Sequence, residues 1–281
     1  MIYAKIIGLL IYSVIIIALI PYQHGKISLF LFALLLFSRY KQDQVDMSWK
    51  KFLPIGLTIY AFSLISNSIQ YQAWTALENW EVKTNPHPFA LDHFMNTIPF
   101  NDAAFTRFYQ PEWLTELMQW CYGYGFAVSV TFCIMRSFFA KNAKKMIQYI
   151  LATFFLQFPL IVPFYTLFDV NEVWYVNHHP DGLERGLHYP GVLYIVHNCF
   201  PSMHTSIAFA VLLVSLKEKD ALFKWAKIIY SILIIYSTMY LEIHWVVDVI
   251  GGLLFAYGTV KLSEYIMRKL PKKIKEKIEV T

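Results

Sequence analysis

Long apolar runs constrain the fold of this chain more than any other feature. A helix that crosses a bilayer needs about 20 mostly apolar residues, and runs of this kind recur along most of the sequence. The composition agrees, because 57% of the 281 residues are hydrophobic and only 15% are charged, whereas a soluble domain has roughly a quarter of its residues charged. The sequence therefore predicts an all-α integral membrane protein, folded as a polytopic helix bundle.

Eight segments are long and apolar enough to be candidate spans. They cover residues 4–22, 25–39, 52–72, 113–135, 147–168, 197–216, 227–242 and 245–265. We expect residues 1–281 to form a single membrane domain. In that domain, residues 266–281 would form a basic tail. The first span is not expected to be a cleaved signal peptide, because no small-residue cleavage pattern follows it.

The distribution of basic residues predicts the orientation of these spans. With a cytoplasmic N-terminus, twenty of the 24 Lys and Arg residues face the cytoplasm, and cytoplasmic loops are the ones that carry an excess of Lys and Arg. Both termini are therefore predicted to be cytoplasmic. The tail sequence RKLPKKIKEK indicates contact with anionic lipid headgroups, and a nucleic-acid partner is not expected.

A first polar insertion, HNCFPSMHTS at 197–206, opens the sixth span. Proline is favoured at the first position of a helix, so Pro201 is predicted to start this span. The amides of Ser202, Met203 and His204 would then lack partners within the helix. Unpaired amides at a helix start, together with the helix dipole, make an anion site.

A second polar insertion, YLEIHWVVDVIGG at 240–252, lies at the predicted outer end of the eighth span. His244 and Asp248 are four residues apart, so a helix would place them on one face. The topology brings them to the same membrane face as His204. One imidazole can attack phosphorus as a nucleophile, a carboxylate can fix its tautomer, and the other histidine can protonate a departing oxygen.

These two insertions resemble motifs of the type 2 phosphatidic acid phosphatase superfamily, whose second motif has the form PSxH and whose third ends in HxxxD. Thr238 stands where the third motif often has arginine, and the first motif, KxxxxxxRP, is not recognisable. FPSMHTS and STMYLEIHWVVDVIGG look most like the inositol phosphorylceramide synthase branch, with sphingomyelin synthases as more distant relatives. The resemblance covers residues 197–252 and implies that 52–265 form a catalytic six-helix core, with 1–51 as an additional N-terminal helix pair.

The resemblance implies a metal-independent lipid phosphotransferase that acts through a phosphohistidine and transfers a phosphoinositol-like headgroup. His244 would be the nucleophile, Asp248 its orienting partner and His204 the general acid and base. The phosphate cradle would include Ser202 and the backbone around Met203. No metal and no cofactor is implied, and the active site would lie on the extracytoplasmic face.

Other residues are candidates to hold the phosphate in place of the missing family arginines, or to contact the headgroup. Arg185, in the outer loop GLERGLHYP, is the first candidate for the phosphate clamp, and Arg107 is the runner-up. Tyr189 is a candidate for substrate binding, with His188 and His197 as weaker ones. The three cysteines show no CxxC spacing, so neither a disulfide framework nor a metal site is expected.

Two other functions remain open from the sequence. A lipid phosphate or polyprenyl pyrophosphate phosphatase of the same superfamily would use the same residues, with water as the acceptor. A proton-coupled transporter or scramblase would instead have ionisable residues near the middle of the membrane. The expected partners are membrane lipids, namely a phospholipid donor and a lipid alcohol acceptor, whose identities stay open together with the oligomeric state.

Overall fold

The computed structural model describes residues 40–84, 88–187, 192 and 195–278. Within these ranges the chain is mostly helical and has almost no strand, which confirms the prediction of an all-α polytopic membrane bundle. The first two predicted spans, 4–22 and 25–39, lie outside the described residues, as do His188 and Tyr189.

The described part of the chain contains nine α-helical elements, counting a helix with a π turn as one element. They are α1 Trp49–Thr84, α2 Asp92–Thr97, α3 Glu112–Phe139, α4 Ala143–Leu167, α5 Val173–Val176, α6 Met203–Ser215, α7 Ala221–Tyr240, α8 Val246–Lys269 and α9 Lys272–Ile278. Five of them, α1, α3, α4, α7 and α8, are long and apolar enough to cross a membrane, and α6 is a shorter apolar helix. These six helices correspond to the six spans predicted between residues 52 and 265.

The sixth span differs most from its prediction, because α6 begins at Met203 rather than near residue 197. Ser202 is the N-cap, and its hydroxyl accepts a hydrogen bond from the Thr205 amide at 3.3 Å. Pro201 therefore precedes the cap, and the prediction that it is the first helical residue is wrong. Its carbonyl instead accepts a hydrogen bond from the Tyr165 hydroxyl at 3.0 Å, while the Cys199 amide donates to the Val170 carbonyl. These contacts keep the segment before α6 out of the helix.

Two helices, α7 and α1, extend furthest beyond their predicted bounds. α7 begins at Ala221 rather than 227, because the Asp220 carboxylate accepts hydrogen bonds from the amides of Leu222 and Phe223 and so caps the helix. α1 continues through a polar second half to Thr84, where the apolar run predicted an end near residue 72. At about 1.5 Å per residue, a helix of this length exceeds the thickness of a hydrocarbon core.

Close packing between α6 and α8 fixes the relative position of the two motifs. A Cβ atom on Gly252 would lie 2.6 Å from the Ser202 carbonyl oxygen, and one on Gly251 would lie 2.8 Å from the Phe200 ring. Small residues at a helix interface let two backbones approach closely. The glycine pair therefore allows the close packing of α8 against α6 and the segment before it.

A buried ionic cluster lies beyond the C-terminal end of α6, and we call it the Arg136 cluster. Arg136 contacts Asp43 at 2.6 Å and Glu218 at 3.1 Å. Glu218 also accepts a hydrogen bond from the Tyr149 hydroxyl at 3.0 Å and lies 3.5 Å from the Lys145 ammonium group. Burial raises the pKa of Glu218 above its ordinary value. The cluster joins α3, α4 and the α6–α7 connection to the turn Tyr40–Asp43.

The long segment after α1 is tied to the end of α4 by a two-residue parallel ladder. Strand β1, Phe89–Ala90, pairs with β2, Phe168–Asp169. The Asp92 carboxylate adds two hydrogen bonds at 2.8 Å, one from the backbone amide and one from the side chain of Asn171. These contacts hold the segment between α1 and α3 against the connection that leads to α6.

Candidate active site

Two histidines from different segments face each other at one end of the bundle. His204 is the second residue of α6, and His244 lies in the turn between α7 and α8. Their ring centroids are 6.3 Å apart, with an angle of 49° between the ring planes. The structure thus brings together the two imidazoles that the sequence places on the same membrane face.

Asp248 reaches His244 through the geometry of a helix cap rather than through a shared helix face. The sequence predicts both residues within one helix, but α8 begins at Val246, so His244 precedes it. The Asp248 Oδ2 atom accepts a hydrogen bond from the Trp245 amide at 2.9 Å and lies 3.5 Å from His244 Nδ1. Since Nδ1 is the nitrogen beside the carboxylate, Nε2 is the ring nitrogen available for chemistry.

Ser202 connects the two motifs instead of offering a free amide. Its backbone amide donates to the Asp248 carbonyl oxygen at 3.0 Å, and its hydroxyl caps α6. The Ser202 amide has no partner within α6, as expected, but the close approach of α8 supplies one, so this amide is not free to bind an anion. Met203, the other predicted cradle residue, lines a cavity beside the two histidines.

Aromatic rings fix the His204 imidazole. Tyr122 stacks on it with a centroid distance of 4.0 Å, and Phe126 contacts it edge-on at 4.5 Å. Tyr122 belongs to a π-helical turn, Cys121–Gly125, within α3. Sequence analysis missed these residues, although CYGYG inside an apolar span was a usable signal, because π turns within helices are frequent at functional sites.

The cavity between the histidines and the connection that precedes α6 has a volume of about 180 Å³. The described residues that line it are Trp74, Glu78, Tyr122, Tyr165, Glu172, Arg185, Ile195, His197, Asn198, Cys199, Met203, His204, Ile243 and His244. Arg185 is thus brought to the histidines. Arg107 is not among these lining residues, and it pairs instead with Glu242 at 2.8 Å. His197 lines the cavity, and its Nε2 atom lies 3.3 Å from Glu81 Oε2.

Two carboxylates hold Arg185 in place. Its Nη1 atom donates to Glu172 at 3.0 Å, its Nε atom donates to Asp181 at 2.9 Å, and its Nη2 atom contacts both carboxylates. Burial raises the pKa of Asp181, but hydrogen bonds from Arg185 and from the Leu183 and Arg185 amides bring this pKa below its ordinary value. Sequence analysis missed Glu172 and Asp181, because only the folded loop shows that both reach Arg185.

Three side chains at the site are close enough to hold a metal ion. The ligand atoms of Cys199, His244 and Asp248 lie within 4.8 Å of one another, and all three residues are buried. Burial raises the pKa of the Cys199 thiol well above its ordinary value, which disfavours the thiolate that binds metals. The expectation of a metal-independent site therefore stays a prediction.

The site defines a class of protein: a membrane helix bundle in which two histidines and an aspartate meet beside a cavity that holds an arginine. Residues 163–272 match the family model of the PAP2 superfamily, and this region contains both motifs. The match covers less than half of the chain and supports an enzyme of the phosphatase or phosphotransferase type. No curated protein and no solved structure matches the chain.

Proposed function

We propose that this protein is a membrane enzyme that moves a phosphorylated headgroup from one lipid to another through a phosphohistidine on His244. One observation carries the proposal: the His204 and His244 rings lie 6.3 Å apart beside a common cavity, with Asp248 next to His244 Nδ1. This spacing is compatible with a phosphoryl group between the rings, where one imidazole acts as nucleophile and the other as general acid.

The first step forms the phosphohistidine, in which the phosphorus bonded to His244 still carries the headgroup. His244 Nε2 attacks the phosphorus of the donor lipid, and the bond from phosphorus to the lipid alcohol oxygen breaks. His204, in its protonated form, gives a proton to that oxygen, so that a neutral lipid alcohol leaves. Asp248 stabilises the positive charge that develops on His244, as an aspartate does for the histidine of a catalytic triad.

The second step returns the enzyme to its starting state. The hydroxyl of an acceptor lipid gives its proton to His204 while its oxygen attacks the phosphorus. The phosphorus–nitrogen bond then breaks, and its electron pair returns to His244. Because the acceptor takes the place of the departed alcohol, the reaction breaks one phosphoester bond and forms another. It therefore needs no external energy source.

The charge around Arg185 favours a phosphodiester donor over a phosphate monoester. Glu172 and Asp181 compensate the guanidinium charge, so little positive charge remains for a doubly charged monoester. A phosphodiester carries a single negative charge and suits such a site better. The resemblance to the inositol phosphorylceramide synthase branch implies a phosphoinositol-like headgroup and a lipid alcohol as acceptor.

A lipid phosphatase is the second candidate, because the superfamily match supports hydrolysis as well as transfer. Water would then attack the same phosphohistidine, so the two functions differ only in the acceptor. The two are separated by giving the purified protein a phosphodiester donor labelled in its phosphate, with and without a lipid alcohol. A labelled lipid product supports transfer, and a labelled water-soluble phosphorylated headgroup supports hydrolysis. Activity that persists in a chelator supports the metal-independent scheme.

We also propose that the N- and C-termini are cytoplasmic, that the site faces the extracytoplasmic side and that residues 52–265 form the catalytic core. The excess of basic residues in the predicted cytoplasmic segments supports this orientation. Single cysteines introduced as Glu112→Cys and Glu276→Cys test it with a membrane-impermeant maleimide. The first should react in intact cells and the second only after permeabilisation, and the opposite pattern would reverse the topology.

A further inference from the structure

Carboxylates outnumber cationic side chains in and directly behind the lining of the cavity, even with His204 protonated, which is unusual for a site that binds an anionic phosphodiester. Glu78 and Glu172 line it, and Arg185 is the guanidinium among the described lining residues. Two more carboxylates lie close behind this lining, Asp181 bonded to Arg185 and Glu81 bonded to Asn198 at 2.8 Å. A buried charge is costly unless a partner compensates it.

Arg185 does not balance these carboxylates. It makes four hydrogen bonds to Glu172 and Asp181, and these two carboxylates together exceed its single positive charge. The pair formed by Glu78 and Glu81 on α1 then remains to be compensated, and His197, which lies 3.3 Å from Glu81, can supply at most one positive charge. A phosphodiester alone would increase the negative charge further.

Glu78 is the carboxylate best placed to meet the headgroup of a bound lipid. It lines the cavity, and its Oε1 atom accepts a hydrogen bond from the Trp74 indole at 2.5 Å. Within the described ranges, no Lys or Arg nitrogen lies within 4.0 Å of its carboxylate. Glu78 therefore has hydrogen-bonding capacity and negative charge to offer to a ligand.

Aromatic side chains line the cavity both beside Glu78 and beside His204. Trp74 and Tyr165 both line it, and their rings meet edge-on with centroids 5.6 Å apart. Tyr122 lines it next to His204. Aromatic faces combined with a carboxylate are the chemistry that recognises amine and quaternary ammonium groups, through cation–π attraction and charge pairing.

We infer that the donor lipid is a zwitterionic phosphodiester whose headgroup carries a cationic amine, such as an ethanolamine or choline headgroup. The phosphate lies at His204 and His244, and the amine lies against Trp74 and Glu78. The inference rests on the proposed function and replaces the phosphoinositol-like headgroup that the resemblance implies. A zwitterion adds no net charge to the cavity, whereas a phosphodiester with an uncharged polyol headgroup adds one negative charge.

The first experiment compares donors that share acyl chains but differ in headgroup. The purified full-length protein, in an uncharged detergent, receives phosphatidylcholine, phosphatidylethanolamine, phosphatidylinositol or phosphatidylglycerol, and kcat/KM is measured for each. We expect the two amine donors to exceed the two polyol donors by at least about tenfold. Equal values, or a preference for the polyol donors, would overturn the inference while leaving the proposed function intact.

Glu78→Gln tests the residue assignment. It should reduce the preference for amine donors by about tenfold, mainly through a higher KM for these donors. The kcat/KM for the polyol donors should stay within about threefold of that of the unaltered protein. Glu264→Gln is the matched control, because Glu264 pairs with Lys217 beyond the other end of α6. It should leave the kcat/KM for every donor lipid unchanged. An equal loss for all donors in Glu78→Gln would show a structural role and would contradict the amine subsite.

The second experiment needs no turnover. The His244→Ala protein is titrated in a calorimeter with glycerophosphocholine and with glycerophosphoinositol, two soluble phosphodiesters that carry the competing headgroups. At least about tenfold tighter binding of the choline compound is expected, and equal binding would overturn the inference. If the choline compound binds preferentially but the unaltered protein turns over no donor, the amine subsite stands and the proposed function fails.

Discussion

The two ends of α6 both bury ionisable groups, and they compensate them in different ways. Beyond its C-terminal end, the Arg136 cluster pairs a guanidinium with carboxylates at 2.6 and 3.1 Å. At its N-terminal end, the His204 and His244 rings line a cavity, and the Asp248 carboxylate lies 3.5 Å from His244 Nδ1. Charges that compensate each other hold segments together, whereas imidazoles that line a cavity keep bonding capacity for a ligand.

The contrast separates two uses of buried polarity in one membrane protein. Burying a charge in this setting costs free energy at either end. At the Arg136 cluster, the cost is offset within the fold, so we expect these residues to affect stability. At the histidines, the cost remains until substrate binds, so we expect these residues to affect turnover with little change in stability. Variants at the two ends should therefore give opposite results.

The largest effect is expected for His244→Ala. Loss of the nucleophile should reduce headgroup transfer by about ten-thousand-fold or more, while the melting temperature in detergent changes little. The matched control is His93→Ala, because His93 is exposed and lies in the short helix α2. Residual transfer above about one hundredth of the unaltered rate would remove His244 from the nucleophile position.

A smaller loss, about a hundredfold in kcat/KM, is expected for Arg185→Gln. The variant removes a hydrogen-bond donor from the cavity and leaves Glu172 without its ionic partner. Arg107→Gln breaks a comparable pair with Glu242 outside the cavity and should change kcat/KM by less than about threefold. Steady-state kinetics on the two variants provides the comparison. If Arg107 proved the more sensitive position, the phosphate clamp would have to be assigned to it.

Gly252→Ala should reduce turnover by about tenfold, because the added methyl group would lie 2.6 Å from the Ser202 carbonyl and push α6 away from α8. Gly258→Ala, on the same helix, adds its methyl group where no atom lies within 4 Å, so its turnover should match that of the unaltered protein. Equal turnover in both variants would mean that the distance between α6 and α8 can increase without loss of activity. That result would contradict the close packing required at Gly252.

The smallest effect on turnover is expected for Arg136→Ala, which tests the other end of α6. The free energy of unfolding should fall by about 3 kcal/mol, because Asp43 and Glu218 lose their buried partner. Turnover per folded molecule should stay within about twofold. Lys219→Ala, at an exposed position of the same connection, controls for loss of a positive charge. A large loss of turnover in folded Arg136→Ala would contradict the division between the two ends.

Hydropathy and short motifs predicted the helices and the meeting of His204, His244 and Asp248. Both depend on local sequence: apolar runs have the length of a membrane, and the alternation of spans brings α6 and α8 to one face. The start of α6 was not predictable, because contacts with Val170, Tyr165 and Asp248 keep the preceding segment out of the helix.

The surroundings of the site were also beyond sequence analysis. Trp74 and Glu78 lie on a helix well over a hundred residues before the histidines, and Glu172 and Asp181 lie in an irregular loop. No periodicity relates these segments to α6. The choice between Arg185 and Arg107 likewise depended on which loop reaches the cavity, and only the folded chain shows that Arg185 lines it.

The most direct test of the central claim is to trap the covalent intermediate. The purified protein is incubated briefly with a phosphate-labelled donor lipid, denatured at alkaline pH and digested, and the labelled peptide is sequenced by mass spectrometry. We predict an acid-labile, base-stable phosphorylated headgroup on the His244 imidazole, and none in His244→Ala. Label on another residue would contradict this prediction. So would turnover during which His244 stays unmodified, both in the steady state and in rapid-quench samples.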